Sequence, residues 1–236
     1  MHRISLFSCI AMLFGVACGE QPGGKENSNG DSLPADSASD SSANHFLHKH
    51  DFGELIAEFE DPQRLAWQQP SLVIRKLGSL KGKTVADIGA GTGYFAFRLA
   101  ESAEKVLAID IDPRFLDHIR HKLDTLSNKE NLNIETRLTA MDDPAIAPGE
   151  ADLVLLVNTY HHIENREDYF KKVKSRLDEN GVLAVVDFKK TELPVGPPPH
   201  LKLTPSEVRN ELQSAGFREF EIDSVSLEYQ FLIFCR

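Results

Sequence analysis

The sequence predicts an α/β fold built on a mostly parallel sheet, and three observations predict it. First, the stretch from Val85 to Phe95 reads as a short apolar strand, a turn at Gly89, Gly91 and Gly93, and the opening of a helix in which Phe95 and Leu99 fall four apart. Second, apolar runs at 105–110, 151–157 and 182–188 alternate with segments of helical periodicity beginning near 112, 167 and 204. Third, the run Ala151–Val157 is almost continuously apolar, as a strand covered on both faces requires. The chain has 236 residues, enough for one α/β domain with a full core and additional segments.

Taken in order, the chain begins with a targeting pattern. Arg3 carries the only early positive side chain, and Ile4 to Ala17 follows without a formal charge. That stretch is short for a bilayer-spanning helix and suits the apolar region of a signal peptide. Gly15-Val16-Ala17 directly before Cys18 resembles a bacterial lipoprotein cleavage box, in which the cysteine is lipidated; Gly15 stands where such boxes prefer leucine. Residues 1–18 are therefore read as a lipoprotein-like signal segment that anchors the chain in the cell envelope; the alternatives are a signal peptide or anchor with an incidental cysteine, and a cytoplasmic location. Residues 19–44 hold Gly, Ser, Asn, Asp and Pro with almost no large apolar side chains, the composition of a disordered tether. His45, His48 and His50 follow without nearby cysteines and read as a solvated lead-in rather than a metal cluster. Asp61-Pro62 reads as a helix start, and Leu65, Trp67, Leu72, Val73, Ile74 and Leu77 form a helical pattern broken by Pro70.

At the first strand the spacing becomes specific. Gly91, Gly93 and Ala96 also satisfy a dinucleotide-binding fingerprint, G-x-G-x-x-G/A, so the glycines alone do not choose a ligand. Asp87, two residues before Gly89, does: a carboxylate there disfavours a phosphate and favours a cationic ligand. The run Asp87-x-Gly89-x-Gly91-x-Gly93 resembles the first motif, D/E-x-G-x-G-x-G, of class I S-adenosylmethionine-dependent methyltransferases, and the likeness extends over roughly residues 50–236. It implies a Rossmann-like, seven-stranded, mostly parallel sheet with helices on both faces and an antiparallel last strand. It implies S-adenosylmethionine as cofactor, with the loop at Gly89, Gly91 and Gly93 against its methionine part and Asp87 close by. It also implies that residues 45–80, ahead of the first strand of a 45–236 domain, form a helical cover, in which Arg64 and Trp67 either pack or act as lid residues.

Asp110 ends the second strand, 17 residues after Gly93, where a carboxylate can accept both hydroxyls of a ribose. Asp112-Pro113 caps the next helix, which buries Phe115, Ile119 and Leu123. Leu132 to Leu138 reads as the third strand. The resemblance implies an acidic contact to the adenine amino group just after it, assigned to Asp142, with Asp143 the neighbouring choice; either also suits a plain turn. The fourth strand, 151–157, leads into Asn158-Thr159-Tyr160-His161-His162, at the end of the sheet where open α/β folds bind ligands. Asn158 matches the first position of the Asn/Asp-Pro-Pro-Tyr/Phe motif used in similar enzymes on amino groups, but the prolines are missing. His161 or His162 can take a proton from an acceptor, since histidine titrates near neutrality; alternatively one caps a helix and the other packs.

Glu167 to Leu177 reads as an amphipathic helix stopped by Asn180-Gly181. The fifth strand, 182–188, carries Asp187 at its far end as a further polar group for the pocket. Four prolines between Pro194 and Pro199 stiffen a loop ending at His200, and in the resembling family this segment borders the acceptor. Thr204-Pro205-Ser206-Glu207 is a capping-box start, Gly216 a stop, and 217–225 and 228–234 read as two closing strands.

Acidic residues number 36 against 26 Lys and Arg, a formal charge of −10, which argues against partners held by phosphate contacts, nucleic acids above all. The expected activity is methyl transfer to a small-molecule acceptor. The alternatives are a module that binds the cofactor without turning it over and, on the glycine spacing and Asp110 alone, an NAD-dependent oxidoreductase. No resident metal is expected. An exported lipoprotein would be separated from a cytoplasmic cofactor, so the predicted cell-envelope anchor and the predicted cofactor pull in different directions.

Overall fold

A computed structural model describes residues 51–127 and 129–236. The signal-like segment, the tether and His45, His48 and His50 lie outside the described residues.

Among the described residues three short helices precede the sheet: α1 (Phe52–Phe59), α2 (Arg64–Trp67) and α3 (Pro70–Lys76). Helix α1 starts at Asp51, whose side chain accepts from Gly53 N–H at 2.8 Å. Asp61 does not open a long helix; it accepts from Gln63 N–H in the turn before α2. Pro70, expected to interrupt, instead occupies the first turn of α3, where a missing N–H costs nothing.

The sheet comprises β1 (Thr84–Ile88), β2 (Lys105–Asp110), β3 (Ile134–Leu138), β4 (Ala151–Val157), β5 (Leu177–Phe188), β6 (Glu221–Asp223) and β7 (Gln230–Cys235). Its order is β3-β2-β1-β4-β5-β7-β6. Strands β1 to β5 run parallel, and β7 lies antiparallel between β5 and β6. This is the seven-stranded, mostly parallel α/β sheet with an antiparallel last strand that the sequence implied.

Side-chain alternation along the strands builds two cores. On one face Val85, Val106, Ala108, Leu153 and Leu155 pack on α3, on α4 (Ala96–Ala100) and on α5 (Pro113–Thr125). On the other, Ala86, Ile88, Val154, Leu156 and Val185 pack on α6 (Arg166–Arg176) and α7 (Pro205–Ser214). The foreseen caps hold: Asp112 accepts from Arg114 N–H at 2.9 Å, and Thr204 with Glu207 forms a complete capping box.

Two local readings are corrected. Asn180-Gly181 does not stop α6, because the chain turns extended at Leu177, which is already in β5. Ala151 pairs with Leu177 and Leu153 with Val182, so residues 178–181 bulge out of register. A Cβ on Gly181 would lie 2.9 Å from the Asp178 carbonyl oxygen, so glycine serves the bulge. The strand expected over 217–225 shrinks to Glu221–Asp223, because the Asp223 carboxylate accepts from Val225 and Ser226 N–H and turns the chain.

The sheet reverses its winding between β1 and β4, which are adjacent while their following segments diverge to opposite faces. A crevice forms at the carboxyl ends of strands at such a switch point.

Candidate active site

The loops that follow β1 and β4 meet at one contact. Gly89 has φ +74°, and a Cβ there would fall 2.4 Å from Thr159 Oγ1 and 2.5 Å from its Cγ2. Only a residue without a side chain lets these two strand ends close on each other. Beyond the contact lies a cavity of about 850 Å³, reached by Asp87, Gly89, Gly91, Asp110, His161 and His162 and walled by Phe59, Trp67, Tyr94 and Phe188.

Two buried acids sit at the β1–β2 end. Asp110 Oδ2 accepts from Gly91 N–H at 2.8 Å, and its Oδ1 from Asp112 N–H at 3.0 Å, so the carboxylate fixes both the glycine loop and the start of α5. Asp87 is 2% exposed and its Oδ2 has no hydrogen-bond partner. Burial first, and the charge of Asp110 second, push its carboxyl up to about 7. Burial likewise raises Asp110 above the usual carboxylate range. Arg64 leans over this end, its guanidinium 4.0 Å from the centre of the Tyr94 ring, while its Nε donates to Gln68 Oε1 and its Nη1 to the Phe59 carbonyl. Desolvation brings Arg64 down to about 10. Trp67 lies 5.8 Å from Phe188, ring centre to ring centre, across the cavity wall.

The β4–β5 end holds the histidines on a short 3-10 turn, Tyr160–His162. His161 Nδ1 lies 2.9 Å from Asp187 Oδ1, and both side chains are buried. The second Asp187 oxygen accepts from the His161 backbone N–H at 3.2 Å, and Phe188 N–H donates to Oδ1 at 2.7 Å. A carboxylate so placed assigns the proton to Nδ1 and leaves Nε2 as an acceptor. His162 stacks beside it at 4.2 Å between ring centres; burial, then its neighbour His161, lower its imidazole to about 3, so it is neutral at physiological pH. Asn158 lines the cavity but accepts from Gln230 Nε2 through Oδ1, at 2.5 Å.

Of the residues singled out from sequence, the structure gathers Asp87, Gly89, Gly91, Asp110, His161 and His162 around one cavity. It does not bring Asp142 there. That carboxylate is 84% exposed and pairs with Lys172 Nζ on α6 at 3.3 Å, and Asp143 caps its own turn by accepting from Ala145 N–H. Thr139, Ala140 and Met141 reach the cavity from this loop instead. Gly93 also stays outside; a Cβ there would press on Ile119 and Phe97 at 3.0 Å, so this glycine serves the packing of α5. Two features escaped sequence reasoning. Phe59 of α1 lies 3.3 Å from where a Gly91 Cβ would stand, and Asp187 pairs with a histidine 26 residues away. The only hint of the pair was that both residues sit at strand ends.

The lining tests the implied cofactor. An unpartnered buried carboxylate oxygen on Asp87 suits a cationic nucleoside better than a pyrophosphate, and Asp110 fits the ribose of either.

Comparison with known proteins agrees. Residues 86–183 match the family model described as a methyltransferase domain. The chain is 26% identical over 166 residues to a tRNA U34 carboxymethyltransferase of Sulfurimonas denitrificans, covering 66% of this chain and 55% of that protein. It is 29% identical over 145 residues to a demethylmenaquinone methyltransferase of Tropheryma whipplei, covering 61% and 56%. The chain thus spans little more than half the length of these curated relatives. Among solved structures, an S-adenosylmethionine-dependent methyltransferase from Aquifex aeolicus superposes with a TM-score of 0.71 at 27% identity, over 79% of this chain and 98% of that one. The matched residues and the Aquifex aeolicus structure support a class I S-adenosylmethionine-dependent methyltransferase domain around this cavity.

Proposed function

We propose that the protein transfers a methyl group from S-adenosylmethionine to a small-molecule acceptor whose nucleophile is deprotonated by His161. One observation carries this reading. A single cavity has buried acids at one end and a carboxylate-backed histidine at the other.

Asp110 accepts from the ribose hydroxyls, Asp87 faces the cationic end, and the loop through Gly89 and Gly91 packs against the methionine part. When bound, the cofactor supplies an activated methyl group on a sulfonium. The chain's own work is alignment, exclusion of water and proton removal. In-line placement at about 3 Å is worth more than any single polar contact. Arg64, Trp67 and Tyr94 close the cavity over the reacting groups. His161 Nε2 receives the acceptor's proton while Asp187 holds the ring and stabilises the imidazolium that forms. His162, neutral, adds no opposing charge.

The relatives' names point to both a tRNA and a small-molecule substrate. The charge of −10 favours the small molecule. The unpartnered carboxylate oxygen of Asp87 beside the glycine loop weighs against NAD, whose pyrophosphate it would repel. The sequence around Cys18 supports a lipid anchor at a membrane.

The test is transfer of a labelled methyl group by the full chain to a panel of small hydroxylated aromatics. Label is expected in an extractable product, with His161→Gln losing turnover by about a hundredfold or more while still binding the cofactor. Cofactor binding with no transfer to any acceptor would turn the reading toward a binding module.

A further inference from the structure

A second cavity, of about 440 Å³, adjoins the first, and His161, His162, Ile163, Glu164 and Leu201 line both, with Glu164 exposed at the surface. Three basic side chains besides the histidines reach it: Arg166, Lys190 and Lys202. Arg166 is neutralised by Glu211 through contacts of 2.7 and 3.1 Å, and Lys190 by Glu207 at 3.0 and 3.2 Å.

Lys202 differs. It is 3% exposed, and its ammonium makes one hydrogen bond, to the Thr191 carbonyl oxygen at 2.9 Å. No carboxylate among the described residues stands within ion-pair distance. Glu192 and Asp187 act on it only at longer range, and Asp187 is committed to His161 and Phe188 N–H. An ammonium has three donors, and a buried cation with two of them unspent calls for an anion. The Phe188 ring lies 5.8 Å from Lys202 Nζ and 6.4 Å from the His161 ring, so the cation and the base flank one aromatic side chain.

We propose that the side cavity is the acceptor's anion subsite: the acceptor carries a carboxylate or phosphate held by Lys202, and its nucleophile reaches His161 across Phe188. The acceptor class is then a hydroxylated acid with an apolar body. This rests on the methyl-transfer reading above and deepens it.

The experiment uses the full chain, titrated by NMR with 4-hydroxybenzoate and 4-hydroxybenzamide, with and without saturating S-adenosylhomocysteine. Phenyl phosphate serves as the second anion. The acids are expected to bind at least about tenfold more tightly than the amide, the worth of a charge-assisted hydrogen bond. The better of the two acids identifies the anion. Lys202→Met should abolish the preference while leaving S-adenosylhomocysteine affinity intact, and Lys202→Arg should keep it. Equal binding of acid and amide by the unaltered chain, binding of neither acid, or a preference that survives Lys202→Met would overturn the proposal. Failure of S-adenosylhomocysteine to bind would instead overturn the methyl-transfer reading, and the comparison on the unloaded chain would still judge Lys202.

Discussion

Replacing Gly89 by alanine places a methyl group 2.4 Å from Thr159 Oγ1, at a backbone angle that L residues avoid. Strain and overlap together are expected to cost about 2–4 kcal/mol, read as a Tm lowered by about 5–10 °C. The loops after β1 and β4 should separate with it, taking cofactor affinity down as well. A variant that melts like the parent would show that the strand ends do not need this contact. Asp87 gives a pH signature. Its folded pKa, about 7, lies above the ordinary 3.8, so the folded state keeps a proton that the unfolded chain releases. Stability from this group is therefore fully present below the unfolded value and falls as pH rises toward 7, by at most about 1.4 kcal/mol per unit. Asp87→Asn is expected to flatten that slope in thermal unfolding followed across this window. A bound sulfonium favours the ionised carboxylate, so affinity for S-adenosylmethionine should rise through the same window more than affinity for S-adenosylhomocysteine. Asp87 and Asp110 were legible in the sequence because a strand, a glycine turn and an acid occupy fixed local spacings. Asp142 was not, because whether its carboxylate turns inward depends on Lys172, 30 residues away on α6.

Helix α1 shows how an element can matter without a strong local signature. Its eight residues carry a cap at Asp51 and one fully buried side chain, Leu55. Phe52 and Phe59 contact Phe115 of α5 at 5.1 and 5.5 Å between ring centres, and Glu60 beyond its end pairs with Lys122 at 2.8 Å. The helix is held by tertiary contacts rather than propensity, which is why the sequence pointed to a helical cover but not to this helix. Phe59→Ala removes the wall against Gly91, and S-adenosylhomocysteine affinity is expected to weaken by about tenfold, measured by calorimetry, with the β-sheet core unchanged. Unaltered affinity would place α1 outside the binding site. Strands were easier to read than their limits. β4 and β5 announced themselves as apolar runs, but the bulge at 178–181 and the turn at Asp223 follow from pairing and side-chain capping, which periodicity does not encode.

At the scale of the whole molecule, charge and anchoring make two predictions. A chain of net charge −10 is expected not to retain tRNA on a filter at physiological salt, and salt-sensitive retention would revive a nucleic-acid acceptor. Cys18→Ala should move the protein from the membrane fraction to the soluble fraction; unchanged fractionation would remove the lipid-anchor reading. The fold was legible at this scale because element order and the glycine loop fix a switch-point sheet. The acceptor was not, because the groups proposed to meet it, His161 and Lys202, lie 41 residues apart and only the fold brings them to adjoining cavities. The most direct test of the central claim is calorimetric titration of the full chain with S-adenosylmethionine, S-adenosylhomocysteine and NAD. The cavity built on Asp87, Gly89 and Asp110 predicts saturable binding of the first two, lost in Asp110→Ala, and none of NAD. Binding of NAD alone, or of no adenosyl ligand, would contradict it.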